Sequence, residues 1–115
     1  MLIIFWLFAI LVAIADQIVM TVIVRREYFN HRTEWESDGK PRGMFWIPKA
    51  SMLGGWWVTY SSAHYFRKLA WAWLAFTPKW IADNHHTHRL LWVHRLLFPT
   101  FWICIAAPFV IAFLS

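Results

Sequence analysis

Three closely spaced histidines, His85, His86 and His88, form the most chemically suggestive cluster in the sequence. Neutral imidazole binds zinc, copper, iron and nickel, and on a helix His85 and His88 would share a face at i, i+3 spacing. Asp83 would add an oxygen ligand, but two good ligands and a flexible third fall short of a closed site. We therefore expect no bound cofactor, and metal binding at these histidines stays an alternative to contact with lipid phosphates.

Asp16 is the only ionisable side chain well inside a long apolar stretch. A charged residue at the middle of a membrane helix costs roughly 2.5 to 3.5 kcal/mol on insertion scales, so such a residue usually has a partner. We predict an intramembrane contact with another subunit, in which Gln17 adds a second hydrogen bond. The alternative is that Asp16 lies close enough to the interface to be hydrated or simply protonated.

The sequence contains none of the motifs that mark an activated nucleophile or a phosphate-binding loop. Cys104, the single cysteine, lies inside an apolar block where a thiolate is disfavoured. Six histidines and two spans are also too few for the histidine-box di-iron enzymes. We therefore predict that the chain is not itself an enzyme, although it could be a non-catalytic part of a membrane enzyme complex.

The elements that position these residues follow from composition. The chain has 115 residues, of which 60% are apolar and ten are tryptophan, more apolar surface than a soluble domain of this size can hide. The sequence predicts an all-α membrane protein with two transmembrane helices, at residues 1–24 and 96–115, joined by a Trp-rich basic segment at residues 25–95. Asp83-Asn84 reads as an N-cap, so the second helix begins near residue 84, and Pro99 and Pro108 should kink it without breaking it.

All eleven Lys and Arg lie between Arg25 and Arg95. By the positive-inside rule this segment is cytoplasmic and both termini lie outside. Its tryptophans and basic residues should contact the interface and anionic phospholipids, whereas nucleic-acid binding is not expected. The residues predicted to face lipid or the interface are Arg25, Arg26, Trp56, Trp57, Arg67, Lys68, Trp71, Trp73, Trp80, Arg89 and Arg95.

Within the basic segment, residues 59–76 are predicted to form an amphipathic interfacial helix. Apolar side chains such as Phe66, Leu69 and Trp73 recur there at helical spacing. The run 69–76 is apolar on all sides but too short to span, so an in-plane and a re-entrant placement both stay open. Before this helix, the turn-forming residues 37–43 predict a tight polar loop.

The stretch Tyr28 to Trp46 places His31 four residues before Trp35, followed by Gly39-Lys40-Pro41 and then Phe45. This run resembles small two-span proteobacterial inner-membrane proteins grouped around universal stress protein B. The resemblance is one of topology over the whole chain and of sequence over about a third of it. It implies a bacterial inner-membrane location and transfers no catalytic residues.

Two function classes follow from these expectations. The first is a non-catalytic accessory or assembly subunit of a respiratory, photosynthetic or oxygenase complex, with other integral membrane subunits as partners, because two spans bury little surface by themselves. The alternative is a stand-alone envelope or stress-related protein acting at the membrane surface. A metal-binding membrane protein using His85, His86 and His88 is the third hypothesis.

Overall fold

The structure is a computed structural model that describes residues 2–48 and 55–115, with side chains described for 3–48 and 61–115. Within these ranges every regular element is a helix, which confirms the predicted all-α class. In chain order the helices are α1 (Leu2–Asn30), α2 (Arg32–Ser37), α3 (Gly55–Ala72), α4 (Lys79–Ala82) and α5 (His85–Leu114).

Helices α1 and α5 are long and apolar enough to cross a membrane, as length and composition predicted. The candidate spans are Ile3–Asn30 and His85–Leu114, and at about 1.5 Å per residue each exceeds the roughly 30 Å of a hydrocarbon core. Pro99 and Pro108 lie inside α5 without ending it. Membrane helices tolerate proline because neighbouring groups satisfy the freed backbone.

A local signal sets the start of α5. The Asn84 backbone is extended (φ −115°, ψ 106°), and its side-chain oxygen accepts a hydrogen bond from the Thr87 backbone N–H at 3.1 Å. This is the N-cap geometry, in which the cap satisfies one of the backbone donors that the first helical turn leaves free. The observed start therefore coincides with the one that Asp83-Asn84 predicted.

The two long helices pack against each other in antiparallel orientation. Arg26 near the end of α1 donates from Nη1 to Thr87 Oγ1 at the start of α5, over 3.1 Å. Further along α1 in the reverse direction, Asp16 contacts His94. As residue numbers fall along α1 they rise along α5, so the pair forms a helical hairpin.

The connecting segment folds back onto this hairpin. Trp35 of α2 is 1% exposed and donates its indole N–H to the Pro41 carbonyl over 2.8 Å. Trp73 and Trp80 are also buried, and the shared core combines side chains of α1, α3 and α5. The core residues are Met20, Ile23, Val24, Tyr28, Trp35, Phe66, Leu69, Ala70, Trp73, Trp80, Ile81, Leu91 and Phe98.

The structure places the middle helix at Gly55–Ala72, so both ends lie earlier in the chain than the predicted 59–76. After Ala72 the chain tightens into i, i+3 hydrogen bonds, such as Leu74 N–H to Trp71 O at 3.3 Å. Pro78 also disfavours helical backbone in the residue before it. Phe76, predicted to extend the apolar stripe, consequently lies outside the helix and is 62% exposed.

The predicted polar loop closes α2 with a left-handed turn. Gly39 has φ +94° and Lys40 has φ 56°, and the Lys40 N–H returns to the Trp35 carbonyl at 3.0 Å. A Cβ at Gly39 would lie 2.4 Å from Cγ of Tyr65, so both backbone conformation and close packing require glycine there.

Candidate functional site

A buried pair of ionisable residues joins the two long helices. His94 of α5 and Asp16 of α1 meet at 2.6 Å between Nδ1 and Oδ1, with exposures of 0% and 2%. The predicted contact partner of Asp16 was another subunit, whereas the structure satisfies this carboxyl group from within the same chain. Contact of Gln17 with another subunit stays a prediction.

The other nitrogen of His94 reaches a third helix. Nε2 lies 2.8 Å from the backbone carbonyl oxygen of Ala70, in the last turn of α3. Carbonyls in the last turn of a helix lack an intrahelical donor. Neighbouring carbonyls of this turn are satisfied by backbone N–H groups, for example Leu69 O by Trp73 N–H at 2.9 Å. His94 supplies the donor for Ala70, so one imidazole fastens α1 and α3 to α5.

Hydrogen-bond chemistry fixes how many protons the pair holds. A backbone carbonyl only accepts, so the nitrogen facing Ala70 must be N–H. The remaining proton lies between Nδ1 and Asp16, either as an imidazolium facing a carboxylate or as a neutral imidazole facing a carboxylic acid. Both arrangements have zero net charge. The pair is therefore a neutral unit, which an apolar interior tolerates far better than an isolated ion.

Arg95 completes the attachment of α3 to α5. Its Nε donates to the Trp73 carbonyl at 2.9 Å, and its Nη2 donates to Thr77 Oγ1 at 2.7 Å. The guanidinium carbon also lies 4.8 Å from the centroid of the Trp92 ring, a cation–π contact. A cation at a helix C-terminus is favoured by the helix dipole, so Arg95 acts as a side-chain cap.

A cavity of about 290 Å³ opens beside the buried pair. Asp16 and Gln17 are part of its lining, and most of the remaining wall is apolar or aromatic, including Phe98 and Trp102. A second cavity of about 290 Å³ shares Gln17, Met44, Phe66 and Arg67 with the first. The two are thus parts of one groove between α1, α3, α5 and the loop at residues 42–44. Gln17 Oε1 is buried there without a hydrogen-bond partner.

The structure does not assemble the predicted histidine cluster into a metal site. His85 and His86 are exposed, with ring centroids 6.1 Å apart, and His88 lies 6.5 Å from the Trp92 ring. Across residues 2–48 and 55–115 no three His, Cys, Asp or Glu side chains come together in a way that could hold a metal ion.

The residues predicted to face lipid or the interface divide into three groups. Exposed ones are Arg25, Arg67, Lys68, Trp71 and Arg89, while Arg26 and Arg95 are half-buried and hydrogen-bonded to the protein. Trp73 and Trp80 instead lie in the core at 1% and 6% exposure, because the end of α3 and α4 pack against the hairpin. The side chains of Trp56 and Trp57 lie outside the described residues.

His94 is the functional residue that sequence reasoning missed. The sequence groups His94 with His85, His86 and His88 as a possible metal or phosphate contact, and it does not predict the pairing of His94 with Asp16. The sequence does contain one signal for this contact, because a carboxyl group inside a span, such as that of Asp16, usually has a partner. In an antiparallel hairpin the first residues of the second span face the last turns of the first span, and His94 lies in that region.

No protein-family model, characterised protein or solved structure matches this sequence. The features that bear on function are those of the chain's own geometry. That geometry consists of a neutral buried Asp16–His94 pair holding three helices and a largely apolar groove beside it.

Proposed function

We propose that the chain is a two-span bacterial inner-membrane protein acting as a non-catalytic accessory or assembly subunit of a larger membrane complex. The basic segment would lie in the cytoplasm and both termini outside, following the positive-inside rule. A respiratory, photosynthetic or oxygenase complex is the class of partner proposed.

Uncovered apolar surface is the observation that favours this proposal. Only 17% of the most apolar 18-residue stretch of α5 is buried inside the chain, compared with 39% of the corresponding stretch of α1. Large side chains such as Trp102, Phe109 and Phe113 are exposed along α5. Phe45 and Phe76, which lie outside the long apolar stretches, are 58% and 62% exposed as well. Exposed apolar patches of this kind mark interaction with protein or membrane.

The buried pair supports a role in binding and assembly, not in catalysis. Both imidazole nitrogens of His94 are engaged, one with Asp16 and one with the Ala70 carbonyl. A general base must reach the proton that it abstracts from a substrate. Neither nitrogen of His94 is left for that task, so the pair supports the helical arrangement instead.

A stand-alone membrane-surface protein is the second candidate, and one observation favours it. The intramembrane carboxyl group of Asp16 is satisfied by His94 of its own chain. The hairpin therefore needs no second subunit to neutralise it.

Co-purification separates the two candidates. The full-length chain with a tag after Ser115 would be extracted from native membranes in mild detergent, and every protein recovered in stoichiometric amount identified by mass spectrometry. Membranes that contain the untagged chain serve as the control. A reproducible stoichiometric membrane partner would support the accessory subunit. Recovery of the chain alone, or of a homo-oligomer with lipid, would refute it in favour of the second candidate.

A further inference from the structure

We infer that the groove between α1, α3, α5 and the loop at residues 42–44 is a binding site for one anionic glycerophospholipid, with the phosphate at Arg42 and Arg67 and an acyl chain in the aromatic cavity. The inference concerns the chain's own groove and does not depend on the proposed partner complex.

The groove has two chemically different ends. One end is formed by Arg42, Gly43 and Arg67. The other is formed by Ile14, Phe101 and Trp102, which belong to the two apolar spans. The groove therefore passes from the basic segment into the depth of the hydrocarbon-spanning stretches. A phospholipid has the same order of chemistry, with a charged head followed by an apolar tail.

The positive charge of the arginines at the basic end of the groove favours an anionic ligand. Arg42 uses Nε for the Gly43 carbonyl at 3.2 Å, and within the described part of the chain its two terminal nitrogens are open to a ligand. Arg67 is exposed. The only carboxyl group among the lining residues is Asp16, and it is already paired with His94. The guanidinium group of arginine can form two parallel hydrogen bonds to a phosphate group. Basic residues next to the membrane surface also attract anionic lipid headgroups.

A polar group lies between the two ends, where a lipid has its glycerol and ester groups. Gln17 lines both cavities, and its Oε1 is buried without a partner. Its amide can donate to an ester carbonyl or accept from a hydroxyl group. Among the described residues nothing donates to this oxygen, and the ester groups of a diacyl lipid only accept, so the contact with the lipid would be made by the Gln17 amide N–H group.

The apolar end suits an acyl chain. Trp71 and Phe98 lie at 4.8 Å between ring centroids in an edge-on arrangement, and Trp71 lies 5.7 Å from Trp102. Trp71 and Trp102 are 56% and 44% exposed, so this wall opens to the exterior instead of closing into the core. An acyl chain can therefore enter from the side, without any movement of the long helices.

Native mass spectrometry of the purified full-length chain tests the inference. The protein in mild detergent would receive equal amounts of phosphatidylglycerol and phosphatidylcholine with identical acyl chains. We expect preferential retention of one phosphatidylglycerol. Each basic residue near a headgroup contributes about a factor of five, so replacing both arginines (Arg42→Gln with Arg67→Gln) should lower retention roughly 20- to 30-fold. The matched double variant Lys40→Gln with Lys79→Gln, at exposed sites that line neither cavity, should retain the preference.

A second pair of variants tests the apolar end without changing any charge. Ala13 lines the first cavity, so Ala13→Phe should fill it and reduce lipid retention, whereas Ala106→Phe on the exposed face of α5 should not. Glycerol phosphate, which lacks acyl chains, should fail to displace the lipid. Three results would each overturn the inference. They are equal retention of the two lipids, equal loss of lipid retention in the groove double variant and its matched control, and displacement of the lipid by glycerol phosphate.

Discussion

The Asp16–His94 pair makes a quantitative prediction, because its two members contribute differently when removed. His94→Leu leaves the Asp16 carboxyl group buried alone and deprives the Ala70 carbonyl of its donor. Removing one partner of a buried pair costs about 3 to 5 kcal/mol. Asp16→Leu leaves a neutral imidazole with one unpartnered nitrogen, which costs about 1 to 3 kcal/mol.

The double variant should be less destabilised than the sum of these losses. With Asp16→Leu and His94→Leu together, no buried charge is left, and only the Ala70 carbonyl lacks a donor, at about 1 to 3 kcal/mol. With central values of about 4 and 2 kcal/mol for the single variants and about 2 kcal/mol for the double variant, the coupling energy between the two positions should be roughly 4 kcal/mol. Asp16→Asn should cost only about 1 kcal/mol, because the amide can donate to Nδ1 while Nε2–H stays on Ala70.

Unfolding free energies of the full-length variants in mixed detergent micelles, followed by tryptophan emission and far-ultraviolet circular dichroism, measure this coupling. Glu36→Gln is the matched control, because it removes an exposed carboxylate on α2 and should change stability by less than about 0.5 kcal/mol. Single-variant losses that simply add, within about 0.5 kcal/mol, would show that Asp16 and His94 do not act as a pair.

Three further predictions use the same unfolding assay. Asn84→Ala should cost about 1 kcal/mol by removing the hydrogen bond to the Thr87 N–H, whereas Asn84→Ser keeps a capping oxygen and should cost less. Gly39→Ala should cost more than about 1 kcal/mol, because the residue has φ +94° and its new Cβ would press on the Tyr65 ring. Glu27 is fully buried, so Glu27→Gln, which replaces its carboxyl group by an uncharged amide of the same shape, should raise stability by about 1 kcal/mol.

Each of these expectations has an outcome that contradicts it. Equal stability of the two Asn84 variants and the native chain would mean that the cap adds nothing to α5. A neutral Gly39→Ala would mean that the turn after α2 rearranges freely. A destabilising Glu27→Gln would mean that the carboxyl group has a favourable partner.

The elements with local causes could be predicted from the sequence. Apolar runs of spanning length predicted α1 and α5, and Asn84 predicted the start of α5, because a helix is built from hydrogen bonds between residues four apart and is capped within one turn. The loop at residues 37–43 followed from its turn-forming residues for the same reason.

Which distant groups meet depends on tertiary packing. Asp16 and His94 are 78 residues apart, and their contact depends on the register of the two long helices, which no local pattern specifies. The C-terminal end of α3 likewise involves a distant residue, because Arg95 of α5 donates a hydrogen bond from Nε to the Trp73 carbonyl oxygen. The groove exists only where three helices and the loop at residues 42–44 leave space between them. The periodicity of apolar residues predicts which face of a helix is buried. It does not predict which other helix packs against that face, and the buried pair and the groove both depend on that packing.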